Sequence, residues 1–233
     1  MHRKHFNQLL LNTFLANVTV GYLWFALTFW VYLETRSVLA TAFIGGAYML
    51  LTAVVGVPFG TWVDRTRKKR VMLVAQVFTT VAFSLAFAVY LLTPRADLLR
   101  IGGWQFVLFV SLTLLGAVVE SARNIALSTC VTLMVDESER DKVNGLVGMV
   151  SGLGFAVTSV FSGLSVGQLG MTWTIATAVA LTVVSMIHLL FVSVPEAEVV
   201  HSDEAPKMVD FGGAFRAIRD VPGLTGLVLF ACF

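Results

Sequence analysis

The chain of 233 residues is 57% apolar and 13% charged, with a net charge of +2 and a mean hydropathy of +0.84. A water-facing domain carries about 25% charged residues, so this composition cannot clothe a soluble enzyme. The charges cluster between long apolar runs, the pattern of a polytopic membrane protein. The small positive excess forms no nucleic-acid-binding patch, and Cys130 and Cys232, in or beside apolar runs, indicate no disulfide framework.

A bilayer core about 30 Å thick requires roughly 20 apolar residues in helical form. Six complete runs meet that length, at residues 6–33, 39–63, 71–92, 103–123, 143–166 and 171–194. A seventh opens at 223 and reaches only 233, too short to cross. The expected fold is therefore all-α: a six-helix membrane bundle over residues 1–194, a linker over 195–222, and the start of a truncated seventh helix over 223–233. The chain end predicts an incomplete half, with a C-terminal half missing or a second copy in its place.

Arg3 and Lys4 precede the first run, but its apolar stretch exceeds the 7–15 residues of a signal h-region, so it reads as a retained helix. Lys and Arg mark cytoplasmic loops. With the N-terminus inside, twelve lie in inner segments and three (Arg36, Arg95 and Arg100) in outer loops. That places the N-terminus in the cytoplasm and the protein in a plasma membrane of the bacterial inner-membrane type.

Along the first run Asn17, Trp24 and Thr28 share one stripe at helical spacing. Polar groups facing lipid would go unsatisfied, so the stripe faces the bundle, either lining a pathway or packing against neighbouring helices. In the fourth run Glu120 and Arg123 are one turn apart on one face. They lie about 25 Å in from Gly103, which predicts a self-neutralising pair near the inner interface with Arg123 snorkelling outward. The fifth run carries Gly145, Gly148, Gly152, Gly154, Ser159, Ser162 and Gly163, small residues that permit close helix contact. His188, in the inner half of the sixth run, is a candidate for proton coupling, although a lone helical histidine more often simply hydrogen-bonds to a neighbour. In the linker Phe211, Phe215 and Ile218 recur as in a short surface helix, with a disordered linker as the alternative.

The most informative stretch joins the second and third runs, from Gly60 to Arg70. A plain inner anchor accounts for its five cations but not for their order, and a carboxylate at the depth of Asp64 is costly unless paired. Gly60, one turn before Asp64, predicts close helix approach. The stretch resembles the signature loop of the major facilitator superfamily, GxxxDRxGRR(K/R): Gly60, Asp64, Arg65, Lys68 and Lys69 match in type, and Arg67 stands where the family usually has glycine. Leu33, Glu34, Thr35, Arg36, Ser37, Val38 and Leu39 resemble the LTGS loop of its drug and siderophore exporters. Ala122, Arg123, Asn124 and Ala126 are similar to the PARxALLP end of that branch. The fifth run loosely resembles the antiporter motif GxxxGPxxGG, with Thr158 and Ser159 in place of its Gly-Pro pair.

The resemblance implies the N-terminal half of a secondary transporter with two three-helix inverted repeats, a spacing of about 103 residues between the second-third and fifth-sixth pairs agreeing with it. It implies a drug-like, macrolide-like or siderophore-like small-molecule substrate, exported by alternating access, with the lipid bilayer as solvent and protons as a candidate counter-ion. It also implies that Asp64, Arg65, Glu120 and Arg123 form an inner charge network closing one state; a merely structural pair and direct proton coupling are the alternatives. No enzyme, cofactor, metal or nucleic-acid partner is expected, since the chain has no metal-ligand cluster, phosphate loop or nucleophile elbow. A six-helix partner or assembly protein without transport activity is the competing reading, and a channel would need repeated polar pore positions that the chain lacks.

Overall fold

The computed structural model describes residues 3–134 and 137–192, together with positions 220, 221, 223 and 226. The expected linker and seventh helix thus fall almost wholly outside the described residues, as do Phe211, Phe215 and Ile218. What is described is helical: α1 (Arg3–Thr35), α2 (Val38–Arg65), α3 (Lys68–Leu92), a single turn α4 (Arg95–Leu98), α5 (Trp104–Met134) and α6 (Arg140–Phe191), with a 3-10 turn at Glu137–Glu139 before α6. Five of these are long and apolar enough to cross a membrane.

The expected fifth and sixth helices appear as one helical run of 52 residues, which would be about 78 Å long if straight. It is not straight. Gly170 takes φ 78 and ψ 168, outside the helical region, and the Ser165 and Thr174 hydroxyls lie 2.9 Å apart. Nine residues of continuous helix would separate them by about 13 Å, so the run folds back at Gly170 into two arms, 140–169 and 171–191, and the six crossings are recovered. Glycine suits the hinge because a Cβ disfavours positive φ.

The other helix ends have local causes. Ser37 caps α2, its Oγ accepting from Ala40 N at 3.1 Å. Just before it Arg36 reverses the chain in the left-handed region, φ 54, its N–H donating to Tyr32 O at 2.8 Å. At the same rim Arg95 Nη2 donates to both Glu34 carboxylate oxygens at 2.7 Å, and that carboxylate holds the exposed Arg95 guanidinium further toward its charged form. An exposed pair of this kind contributes little to stability.

Packing follows small residues. A Cβ on Gly21 would meet Thr158 Oγ1 at 3.1 Å, one on Gly154 would meet Val18, and one on Gly163 would meet Phe29. These contacts advance together along both helices, so α1 and the first arm of α6 run parallel. Gly145, Gly148 and Gly152 have open space beside them, so only part of the small-residue run is used in contact. Helices α3 and α5 pack tightly at Gly116, where an added Cβ would come within 2.6 Å of the buried Phe83 ring. There Thr79 Oγ1 donates across the interface to Gly116 O at 2.9 Å. Two large apolar clusters result, one around Leu27, Trp30, Phe83, Phe109 and Ile175, the other around Leu9, Val63, Met72, Ala126 and Leu189, beside a small third formed by Leu10 and Val143.

Candidate functional site

Between those two clusters lies a layer of buried polar side chains centred on Arg123. The guanidinium is completely buried. Its Nη1 donates to Gln76 Oε1 at 2.7 Å, its Nη2 to Asn12 Oδ1 at 2.5 Å and to Thr13 Oγ1 at 3.4 Å, and its Nε lies 3.4 Å from Glu120 Oε1. Gln76 Nε2 reaches Thr182 O at 3.4 Å, and Ser185 Oγ donates to Gln76 Oε1 at 3.5 Å. Helices α1, α3, α5 and α6 are all tied to one cation.

The network fixes the amides. Because Asn12 Oδ1 accepts from Arg123, its Nδ2 must face the other way, and it donates to Ser185 O at 2.8 Å. That same Nδ2 lies 3.0 Å from His188 Nδ1. An amide nitrogen can only donate, so this contact is a hydrogen bond in the tautomer whose Nδ1 accepts. Glu120 is the exception: among the described residues neither carboxylate oxygen has a hydrogen-bond donor, and only the longer contact to Arg123 Nε compensates its burial.

This geometry differs from the expected pair near the inner interface with Arg123 snorkelling outward, and from the alternative in which the pair joins Asp64 and Arg65 in one network. The fourth run extends to Met134 rather than ending at 123, so Arg123 lies about 16 Å from the helix end. It turns into the bundle, where amides and a carboxylate solvate it. Glu120 and Arg123 do come together as the spacing predicts, but Asp64 and Arg65 are exposed at the rim.

At that rim the two lysines of the Gly60–Lys69 loop grip helix ends. Lys68 is buried, and its Nζ donates to Val63 O at 2.7 Å, Thr66 O at 3.3 Å and Asp64 O at 3.4 Å, covering the carbonyls that end α2. Lys69 Nζ donates to Leu190 O at 3.2 Å, at the end of α6. Both cations sit at the negative ends of helix dipoles. Arg67 has φ −56, so this turn closes without the conformational freedom of glycine. Gly60 does not give the expected close approach: nothing lies within 4 Å of an added Cβ, because α2 is the least packed long helix, with only Ala40, Ile44 and Val63 buried.

The stripe on α1 is half-buried. Trp24 stacks obliquely against Tyr48 of α2 at 5.6 Å between centroids, its Nε1 buried without a partner among the described residues. Thr28 Oγ1 donates back to Phe25 O at 2.8 Å within its own helix. The residues that sequence reasoning missed are Asn12, Thr13, Gln76 and Ser185. Gln76 and Asn12 carried a signal, as amides inside apolar runs that must find partners in the bundle. Among the described residues no cluster of His, Cys, Asp and Glu is placed to hold a metal.

The sequence profile of the Major Facilitator Superfamily matches residues 9–233. No curated protein and no solved structure matches the chain.

Proposed function

Since the chain belongs to the major facilitator superfamily, over residues 9–233, and is thus a multi-pass membrane secondary transporter of small molecules, we propose that it is an exporter of drug-like, macrolide-like or siderophore-like molecules in a plasma membrane, its N-terminus in the cytoplasm. The likeness of residues 33–39 and 122–126 to exporter loops supports the direction of transport, and the twelve-to-three distribution of cations supports the orientation.

The observation that carries the mechanism is the state of the loop after α2. Lys68 and Lys69 are occupied by helix-terminal carbonyls, while Asp64 is exposed in the last turn of α2. A carboxylate beside the negative end of a helix dipole is unfavourable until a cation or a helix N-terminus comes to it. Closure of the inner side supplies that partner, so Asp64 stabilises the inward-closed state and Lys68 holds the end of α2 in register for it. Asn17, Trp24 and Thr28 line the path of the substrate along α1. Glu120 and His188, the titratable members of the polar layer, are the groups through which proton counter-flow would run.

The test is Asp64→Asn in the full protein, read as efflux of a lipophilic fluorescent dye from loaded cells. Membrane insertion should be unchanged and the efflux rate should fall about tenfold, equivalent to about 1.4 kcal/mol; efflux at the normal rate rejects the gate role. An uncoupler should abolish efflux by the unaltered protein. If neither dye, macrolide nor iron chelate is moved by the unaltered protein, the exporter reading gives way to that of a membrane partner protein.

A further inference from the structure

The polar layer around Arg123 stands between two titratable groups. Glu120 lies one turn from Arg123 toward the start of α5, its carboxylate buried without a hydrogen-bond donor among the described residues. His188 lies on the opposite side, three residues before the end of α6 and against Asn12. The contacts run in line: Glu120 Oε1 is 3.4 Å from Arg123 Nε, Arg123 Nη2 donates to Asn12 Oδ1, and Asn12 Nδ2 is 3.0 Å from His188 Nδ1. A proton exchanged between Glu120 and His188 along this line has to pass Arg123.

The middle links of that line cannot pass a proton on. A relay needs groups that accept one proton while releasing another, whereas a guanidinium has only donors and does not give up its charge in proteins. Arg123 also fixes its neighbours. It holds Asn12 with Oδ1 toward itself, which turns Nδ2 to His188, and an amide nitrogen accepts nothing from the imidazole in either tautomer. Gln76 Oε1 accepts from both Arg123 and Ser185 Oγ. Gln76 Nε2 donates to Thr182 O and Asn12 Nδ2 to Ser185 O, so these amide donors end on backbone carbonyls. Thr13 Oγ1, at 3.4 Å, is a hydroxyl able to hand a proton onward, but only one that the guanidinium had released. Asn12, Thr13, Gln76 and Arg123 are each at most 2% exposed, so solvent does not reach around the cation, and an apolar cluster lies on either side of the layer. Besides Arg123, the titratable group within electrostatic reach of Glu120 is Tyr48 of α2, packed against the cluster around Trp30 and away from His188.

We propose that Arg123 insulates Glu120 from His188, a fixed cation that keeps the bundle tight to protons in this conformation. An arginine excludes protons by repelling them and by offering them no acceptor. Here the second effect dominates, because the Glu120 carboxylate offsets part of the charge. A secondary transporter with ionisable groups on both sides of its polar layer needs such a seal, since a continuous relay would dissipate the gradient that drives it. The proposal rests on the helices crossing a bilayer and on the bonds around Arg123, not on the exported substrate or the counter-ion. Its failure therefore leaves the exporter reading standing.

The experiment reconstitutes the full chain in sealed liposomes holding a pH-sensitive dye, with potassium and valinomycin clamping the potential, and follows internal acidification after an external acid pulse without substrate. The unaltered protein should acidify the interior no faster than empty liposomes do. Arg123→Ser, which leaves polar space for water between Glu120 and Asn12, should acidify it about tenfold faster, a barrier lowered by about 1.4 kcal/mol. Should that variant not fold, Glu120→Gln combined with Arg123→Ser, which strands no charge, should show the same leak. Gln76→Ser opens space beside the same guanidinium but keeps the cation, and should stay tight. A leak through Gln76→Ser equal to that of Arg123→Ser would make packing the seal and overturn the proposal. So would acidification by the unaltered protein above that of empty liposomes, tight vesicles with the folded Arg123 variants, or escape of an entrapped anionic dye alongside the protons, which would mark a hole in the bundle. Efflux of a lipophilic dye by the unaltered protein judges the exporter reading separately.

Discussion

Arg36 occupies a conformation that suits glycine. At φ 54 its Cβ crowds the neighbouring carbonyl, a strain of about 1–2 kcal/mol for an L-residue. Arg36→Gly should therefore raise stability by up to about 1 kcal/mol, the gain reduced by the greater freedom of glycine in the unfolded chain. Thermal unfolding in detergent checks this, and a lowered midpoint would contradict it. At Arg123 the sign is reversed. Removing a buried partner strands the other charge, so Arg123→Leu should destabilise by about 3–5 kcal/mol, and adding Glu120→Leu should recover more than half of that loss. A double variant no better than the single one would mean that the Asn12 and Gln76 bonds, not the ion pair, hold the layer. The pairing of Glu120 with Arg123 was legible from spacing alone. Its depth was not, because nothing local to Arg123 says that α5 continues to Met134.

In α5 the sequence contains Gly116 in an apolar run, unremarked by any motif, and the structure packs it tightly against Phe83 and Ala82 of α3. An added methyl would meet the buried Phe83 ring at 2.6–2.8 Å, too close to absorb in a packed interior. Gly116→Ala should cost about 1–3 kcal/mol through overpacking, whereas Gly148→Ala, with open space beside it, should be neutral or slightly stabilising through helix propensity. Equal effects at the two sites, compared by unfolding in the same detergent, would show that α3 and α5 sit further apart than described. Helix existence was plain from apolar run length, and helix ends to within a few residues except in the fourth run, which was expected to end at 123 and continues to Met134. Which small residues face a neighbour was not, since Gly154 and Gly163 are packed while Gly145 and Gly152 are open.

For the molecule as a whole, parity of crossings sets which loops share a side. Leu9, Val63, Met72 and Leu189 meet in one cluster, so the start of α1, the α2–α3 loop and the end of α6 lie at one rim. The turn α4 and Gly170 lie at the other. With Cys130 and Cys232 replaced by serine, a cysteine at Ala96 should react with an impermeant maleimide on intact cells, and one at Arg70 only after permeabilisation. The opposite pattern would invert the proposed orientation and the direction assigned to Asp64.

The sequence by itself determined the solvent, the number of crossings and the family, because run length against bilayer thickness and a spaced loop motif are one-dimensional signals. Tertiary structure alone decided what surrounds each polar group. The partners of Arg123 come from α1, α3 and α5, separated from it by as many as 111 residues of chain, and Ser165 meets Thr174 only because Gly170 folds one helical run back on itself. Burial and contact belong to pairs of elements, and no window along the chain contains both members.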